Sequence, residues 1–120
     1  GTLAQEQKDV LKMREFLLEK LDKPCSLEEM AKKAGCGITG LTAYFRLHFG
    51  TTPHRCLVQM RMTEARRLLE SGLFSVKEVA VQVGYDHPAN FATEFKKFHG
   101  APPRRYCRTG PGYKIRGKIS

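Results

Sequence analysis

Arg46, Arg55, Arg61, Lys96, Lys97, Arg104 and Arg105 are the residues whose type and clustering suit one kind of chemistry. Guanidinium and ammonium groups neutralise phosphate oxygens, and several on one surface hold a polyanion by releasing its counterions. The 120-residue chain has a formal net charge of +9. That excess is uneven. No Asp or Glu lies between Glu29 and Glu64, and none follows Glu94. Arg108, Lys114, Arg116 and Lys118 extend the basic end. Charge of this kind favours nucleic acid as a partner, with an anionic membrane or a merely solvated surface as alternatives.

Other reactive side chains form no constellation. The cysteines, Cys25, Cys36, Cys56 and Cys107, contain no Cys-x-x-Cys pair, so free thiols in a reducing cytoplasm are expected. Cys56 with His54 or His48 has poor zinc spacing, and no metal site is expected. Cys36 is a candidate redox switch, although no adjacent base would activate its thiol. His48 and His99 lie near helix ends beside aromatics, where capping or partial burial is the simpler role. His87, just before Pro88, either touches a phosphate or serves the turn. There is no Ser-His-Asp order, paired-carboxylate motif or phosphate loop, so neither an enzyme nor a cofactor is implied. No run of about 18 apolar residues occurs, and none is expected to span a membrane. The opening GTLAQEQKDVL lacks the apolar stretch of a leader, which points to the cytoplasm.

Apolar periodicity reads helix nearly everywhere, and 41% hydrophobic residues suffice for a globular core. Val10, Met13, Leu17 and Leu21 share one face of a first helix, closed by Asp22-Lys23-Pro24. Ser26-Leu-Glu-Glu29 is a capping box, followed by a buried stripe of Leu27, Met30, Ala31 and Ala34 that stops at Gly35. A third helix runs roughly from Thr39 to Phe49, with Leu41, Tyr44, Phe45 and His48 inward and Thr39, Thr42, Ala43 and Arg46 outward. A long helix follows from about Pro53 to Ser71, marked by Leu57, Arg61, Ala65, Leu68 and Leu69. Then the pattern restarts. Ser75-Val-Lys-Glu78 is a second capping box, with Val76, Val79, Ala80 and Val83 as its stripe. Phe91, Phe95 and Phe98 form the buried face of the next helix, and a short helix reaches about Cys107.

The two copies align at an offset of 49 residues from Ser26/Ser75 to Gly35/Gly84. The offset is 50 for Leu41/Phe91, Phe45/Phe95, Gly50/Gly100 and Pro53/Pro103. The second turn has therefore gained a residue. Two helices with small Ala31 or Ala80 at the close approach and a Gly at the turn suit a helix-turn-helix. The expected fold is all-α, with two helix-turn-helix subdomains joined by a long linker helix, about seven helices in all. Residues 1–52 form the first subdomain with its N-terminal helix, 53–72 the linker, 73–107 the second subdomain and 108–120 a basic, Gly-rich, loosely docked or mobile tail. The linker spans roughly 28 Å at 1.5 Å per residue. Successive major grooves on one side of B-DNA are about 34 Å apart.

The stretches SLEEMAKKAG, LTAYFRLHFGTTP, RMTEARRLLESG, SVKEVAVQVGY and NFATEFKKFHGAPPRRY resemble the C-terminal DNA-binding domain of AraC/XylS-type bacterial transcription regulators. The likeness covers about Ser26 to Tyr106. It implies a sequence-specific regulator, usually an activator, that binds double-stranded DNA and contacts RNA polymerase. Most members carry a separate ligand-sensing domain, so this chain would be the DNA-binding fragment of a longer protein, binding DNA as a monomer.

By position in that family, Thr39, Thr42 and Ala43 form the first base-reading face, with Ile38 and Gly40 nearby. Ala89, Asn90 and Thr93, with Pro88 and Ala92, form the second. The family often places a long Arg or Gln where this chain has Ala43 and Thr93. Direct readout is therefore expected to rest on thymine methyls and on Asn90 against adenine, supplemented by DNA bending. Competing readings are a helical protein-interaction module, which would show no salt-dependent DNA binding, and a thiol- or metal-responsive regulator.

Overall fold

Both capping boxes form. Ser26 Oγ accepts the Glu29 amide at 3.1 Å while Glu29 Oε1 accepts the Ser26 amide at 3.1 Å. Ser75 and Glu78 make the same pair at 3.1 and 2.8 Å. Each satisfies orphan donors of a helix start. The computed structural model describes residues 3–107. They form α1 (Leu3–Glu19), α2 (Leu27–Ala34), α3 (Ile38–Phe49), α4 (Pro53–Ser71), α5 (Val76–Gln82), α6 (Pro88–His99) and a 3-10 turn at Pro103–Arg105. The all-α expectation holds, and no strand occurs among the described residues. The basic tail from Arg108 lies outside the described residues.

The two turns close alike. Gly35 (φ +75) and Gly84 (φ +90) adopt the left-handed conformation that costs a Cβ-bearing residue about 1–2 kcal/mol. Gly35 N–H donates to Lys32 at 3.2 Å and Cys36 N–H to Ala31 at 3.0 Å. In the second copy Gly84 N–H donates to Val81 at 3.1 Å and Tyr85 N–H to Ala80 at 2.9 Å. These are the paired bonds of a Schellman motif. The copies stay in register through Tyr85. The additional residue enters after it, because Gly37 caps α3 directly after Cys36 whereas Asp86 separates Tyr85 from His87, the cap of α6.

The chain packs as two units that divide between Met60 and Arg61, inside α4. The core of the first holds Met13, Leu17, Leu21, Met30, Ala31, Leu41, Phe45, Cys56 and Leu57. Fully buried residues of the second include Met62, Leu69, Val79, Val83, Phe91 and Phe95. Burying each large apolar side chain contributes roughly 1.5–3 kcal/mol. Pro53 and Pro103, which match in the repeat, are both buried.

Two assignments of the buried stripes need correction. Leu27, the first residue of α2, is 44% exposed, whereas Met30 of the same turn is buried. Phe98 is 40% exposed. The inward place in the last turn of α6 belongs to His99, whose ring lies 4.4 Å from that of Phe95.

Candidate nucleic-acid interface

α3 and α6 divide cleanly into two faces. On α3, Leu41 and Phe45 are buried, whereas Thr39, Thr42, Ala43 and Arg46 are exposed. On α6, Phe91 and Phe95 are buried, whereas Ala89, Asn90, Thr93, Lys96 and Lys97 are exposed. Ala92 is half-buried. The base-reading candidates therefore share the outward face of their helix in each unit. They carry short side chains, so backbone can approach a groove closely.

Thr93 donates its hydroxyl to the Ala89 carbonyl at 3.0 Å. That leaves its methyl, which suits a thymine methyl contact, and its oxygen as an acceptor only. Neither helix has an acidic residue in its first turn, and neither N-cap, Gly37 or His87, makes a side-chain capping bond. The positive helix ends are thus not neutralised from within.

The cations are placed less uniformly. Arg46 and Arg55 are exposed in the first unit, and Lys96, Lys97, Arg104 and Arg105 in the second. None of these six forms an ion pair among the described residues, whereas Arg66 and Arg67 are paired with Glu70 and Glu64. Arg61 differs. It is half-buried, its Nε is out of solvent, and its charge acts on Tyr85. Burial, with the Glu94 charge, pushes the Tyr85 hydroxyl above the ordinary tyrosine range, and Arg61 opposes that rise.

His48 and His99 are half-buried, as their position among aromatics suggests. His48 lies 4.7 Å from the Tyr44 ring. Beside it, a cleft of about 320 Å³ is lined by Glu6, Asp9, Lys12 and Lys33. Both signs of charge meet there, so it does not favour a polyanion. Among the described residues, no three His, Cys, Asp or Glu side chains gather as a metal site. No helix of the described residues is long and apolar enough to cross a membrane.

Thr52 was not singled out by sequence reasoning. Its Oγ1 accepts the Arg55 amide at 3.3 Å and so caps α4. A Thr just before a helix-opening Pro was the available signal.

Comparison with known proteins matches this layout. A family profile described as a helix-turn-helix domain fits residues 30–109. The raffinose operon transcriptional regulatory protein RafR of Pediococcus pentosaceus is 28% identical over 94 residues, covering 78% of this chain and 34% of RafR. The solved DNA-binding domain of AdpA, a global transcriptional factor in complex with a target DNA, has a TM-score of 0.75 and 28% identity. That match covers 82% of this chain and 88% of that one. A transcriptional regulator with an AraC-type DNA-binding domain from Chromobacterium violaceum shares the fold, with a TM-score of 0.77 at 22% identity over 91% and 99% of the two chains. The chain spans about a quarter to two-fifths of the length of the curated relatives it matches.

Proposed function

Because the chain belongs to the AraC-type helix-turn-helix family, we propose that it is the DNA-binding part of a bacterial transcription regulator. It acts without catalysis, in the cytoplasm, and binds double-stranded DNA as a monomer. α3 and α6 serve as the recognition helices, one in each of two adjacent major grooves. Thr39, Thr42 and Ala43 face bases in one groove, and Ala89, Asn90 and Thr93 in the other. The 19-residue α4 is the spacer, roughly 28 Å long at 1.5 Å per residue. Specificity also draws on the deformability of the DNA, which bends over the site.

Phosphate contacts supply most of the affinity. Arg46, Arg55, Lys96, Lys97, Arg104 and Arg105 are exposed for this role, and Arg61 contributes less because it is half-buried. Six such contacts give a log K against log salt slope of about −5. In the whole regulator, a ligand-responsive domain would control activation through RNA polymerase, as in the family at large.

The observation that carries this reading is the repeated pairing of a capped helix, a Schellman turn and a second helix whose outward face holds short side chains flanked by exposed cations. Footprinting on genomic fragments at physiological salt tests it. The expected result is protection of two neighbouring major grooves on one face of the duplex. Absence of any salt-dependent DNA binding would instead favour a protein-interaction module.

A further inference from the structure

His99 stands where the two copies of the repeat differ in kind. Its counterpart at an offset of 50 is Phe49, which stacks on Phe45 with centroids 5.0 Å apart. His99 keeps the ring contact, 4.4 Å from Phe95 and 5.9 Å from Tyr106. It adds a polar one: Nε2 lies 2.9 Å from the main-chain oxygen of Met62, in α4. A carbonyl oxygen only accepts, so Nε2 must carry the hydrogen. Tyr106 Oη in turn donates to the His99 carbonyl at 3.4 Å, and the Arg66 guanidinium lies over the Tyr106 ring at 4.8 Å. One imidazole thus ties the end of α6 to α4 through a directional bond, where apolar packing alone would tolerate sliding.

A small roll is enough to matter, because a helix rolls as a body along its length. Asn90 lies nine residues from His99 on α6, about 14 Å along the helix at 1.5 Å per residue. A roll of about 20° moves a side-chain tip about 6 Å from the axis by about 2 Å. Hydrogen bonds to a base edge tolerate only a few tenths of an ångström.

We propose that His99 is a positioning residue, whose bond to the Met62 carbonyl sets the roll of α6 on α4 and so aims Asn90 and Thr93 at base edges. This rests on α6 being a recognition helix. Phosphate contacts by Lys96, Lys97, Arg104 and Arg105 are mobile and tolerant of a small roll, so discrimination suffers and general affinity does not.

The test uses the 120-residue chain with His99→Phe, the residue of the first copy, and His99→Gln, which keeps a donor. Binding is titrated on the footprinted fragment and on a shuffled duplex of equal length, at several salt concentrations. His99→Phe should weaken cognate binding roughly 5- to 20-fold, as expected for one lost base-directed contact, while shuffled binding and the salt slope stay put. His99→Gln should recover much of that loss. Nitrogen-15 spectra of the wild-type imidazole should show the proton on Nε2, a reading that does not depend on the variants folding. Unchanged discrimination in His99→Phe, equal losses on both duplexes, or a bare Nε2 would each overturn the proposal. If the wild type fails to discriminate at all, the DNA-reading function falls first and takes this inference with it.

Discussion

The Arg66 guanidinium sits 4.8 Å over the Tyr106 ring, and its Nε bonds Glu70 at 3.1 Å. The same Tyr106 ring meets Phe95 edge-on at 5.3 Å. Arg66 therefore covers an aromatic cluster that holds α6. Its neighbour Arg67 makes a shorter ion pair, 2.6 Å to Glu64, yet remains 67% exposed. The longer contact should count for more. Cation–π stacking with apolar cover contributes about 0.5–1 kcal/mol or more, while exposed ion pairs are worth about 0–1 kcal/mol. Arg66→Ala is expected to cost about 1 kcal/mol and Arg67→Ala distinctly less, measured by urea unfolding. Equal losses would mean that the ring contact does not stabilise the second unit.

Glu29 gives a pH signature. The Lys20 ammonium at 2.9 Å and the Ser26 amide hold its carboxyl below the ordinary glutamate range. The same bond raises Lys20 above the ordinary lysine range. A depressed carboxyl stabilises the fold above the unfolded value of about 4.3 and loses that contribution as pH falls through the folded value. A raised ammonium stabilises below about 10.4 and loses its share as pH climbs through the folded value. The stability difference between wild type and Lys20→Met should therefore be flat between about pH 5 and 10 and shrink at both ends. Glu29 is exposed and Lys20 partly so, and the difference is therefore small and salt-sensitive. A gap that persists undiminished at pH 3 would contradict the pairing.

Features set by local chemistry were legible in the sequence. Ser26 with Glu29, Gly35 and Pro53 each act within a few residues of themselves, and the repeat doubled every such signal. The outward placement of Thr39 and Thr42 followed from helical period, whereas Asn90 and Thr93 were placed by position in the resembled family. What escaped depends on distant partners. His99 finds its acceptor 37 residues away, so nothing beside it distinguishes the inward residue of the last turn from Phe98. Arg61 has the sequence context of any surface arginine, but it becomes half-buried and its charge acts on Tyr85. Leu27 fits the apolar stripe by spacing, yet at the first position of α2 it stays largely in solvent while Met30 of the same turn is buried.

The four thiols should separate into two classes. Cys56 and Cys107 are buried, and burial pushes the Cys56 thiol up, away from the reactive thiolate. Cys25 and Cys36 are only half-covered. A disulfide reagent near pH 8 is expected to modify Cys25 and Cys36 in the folded chain, with Cys56 and Cys107 following only in urea. Cys36 precedes the cap of α3, so its modification should weaken DNA binding while Cys25→Ser leaves that response intact. Binding unaffected by a bulky adduct at Cys36 would remove the thiol-responsive alternative.

Asn90 and Lys97 both stand exposed on α6, and they should fail in different ways. Asn90 offers a carbonyl and an amide in the spacing that pairs with adenine, a contact worth about 1–3 kcal/mol of discrimination. Lys97 offers a point charge, which neutralises a phosphate whatever the base. Asn90→Ala should thus bring cognate binding toward the level of random DNA, roughly tenfold or more, with the salt slope unchanged. Lys97→Ala should weaken both duplexes alike and reduce the slope by about 1. Titrations on the two duplexes across a salt series separate these outcomes. A changed slope with Asn90→Ala, or lost discrimination with Lys97→Ala, would show that the outward face of α6 meets DNA in another orientation.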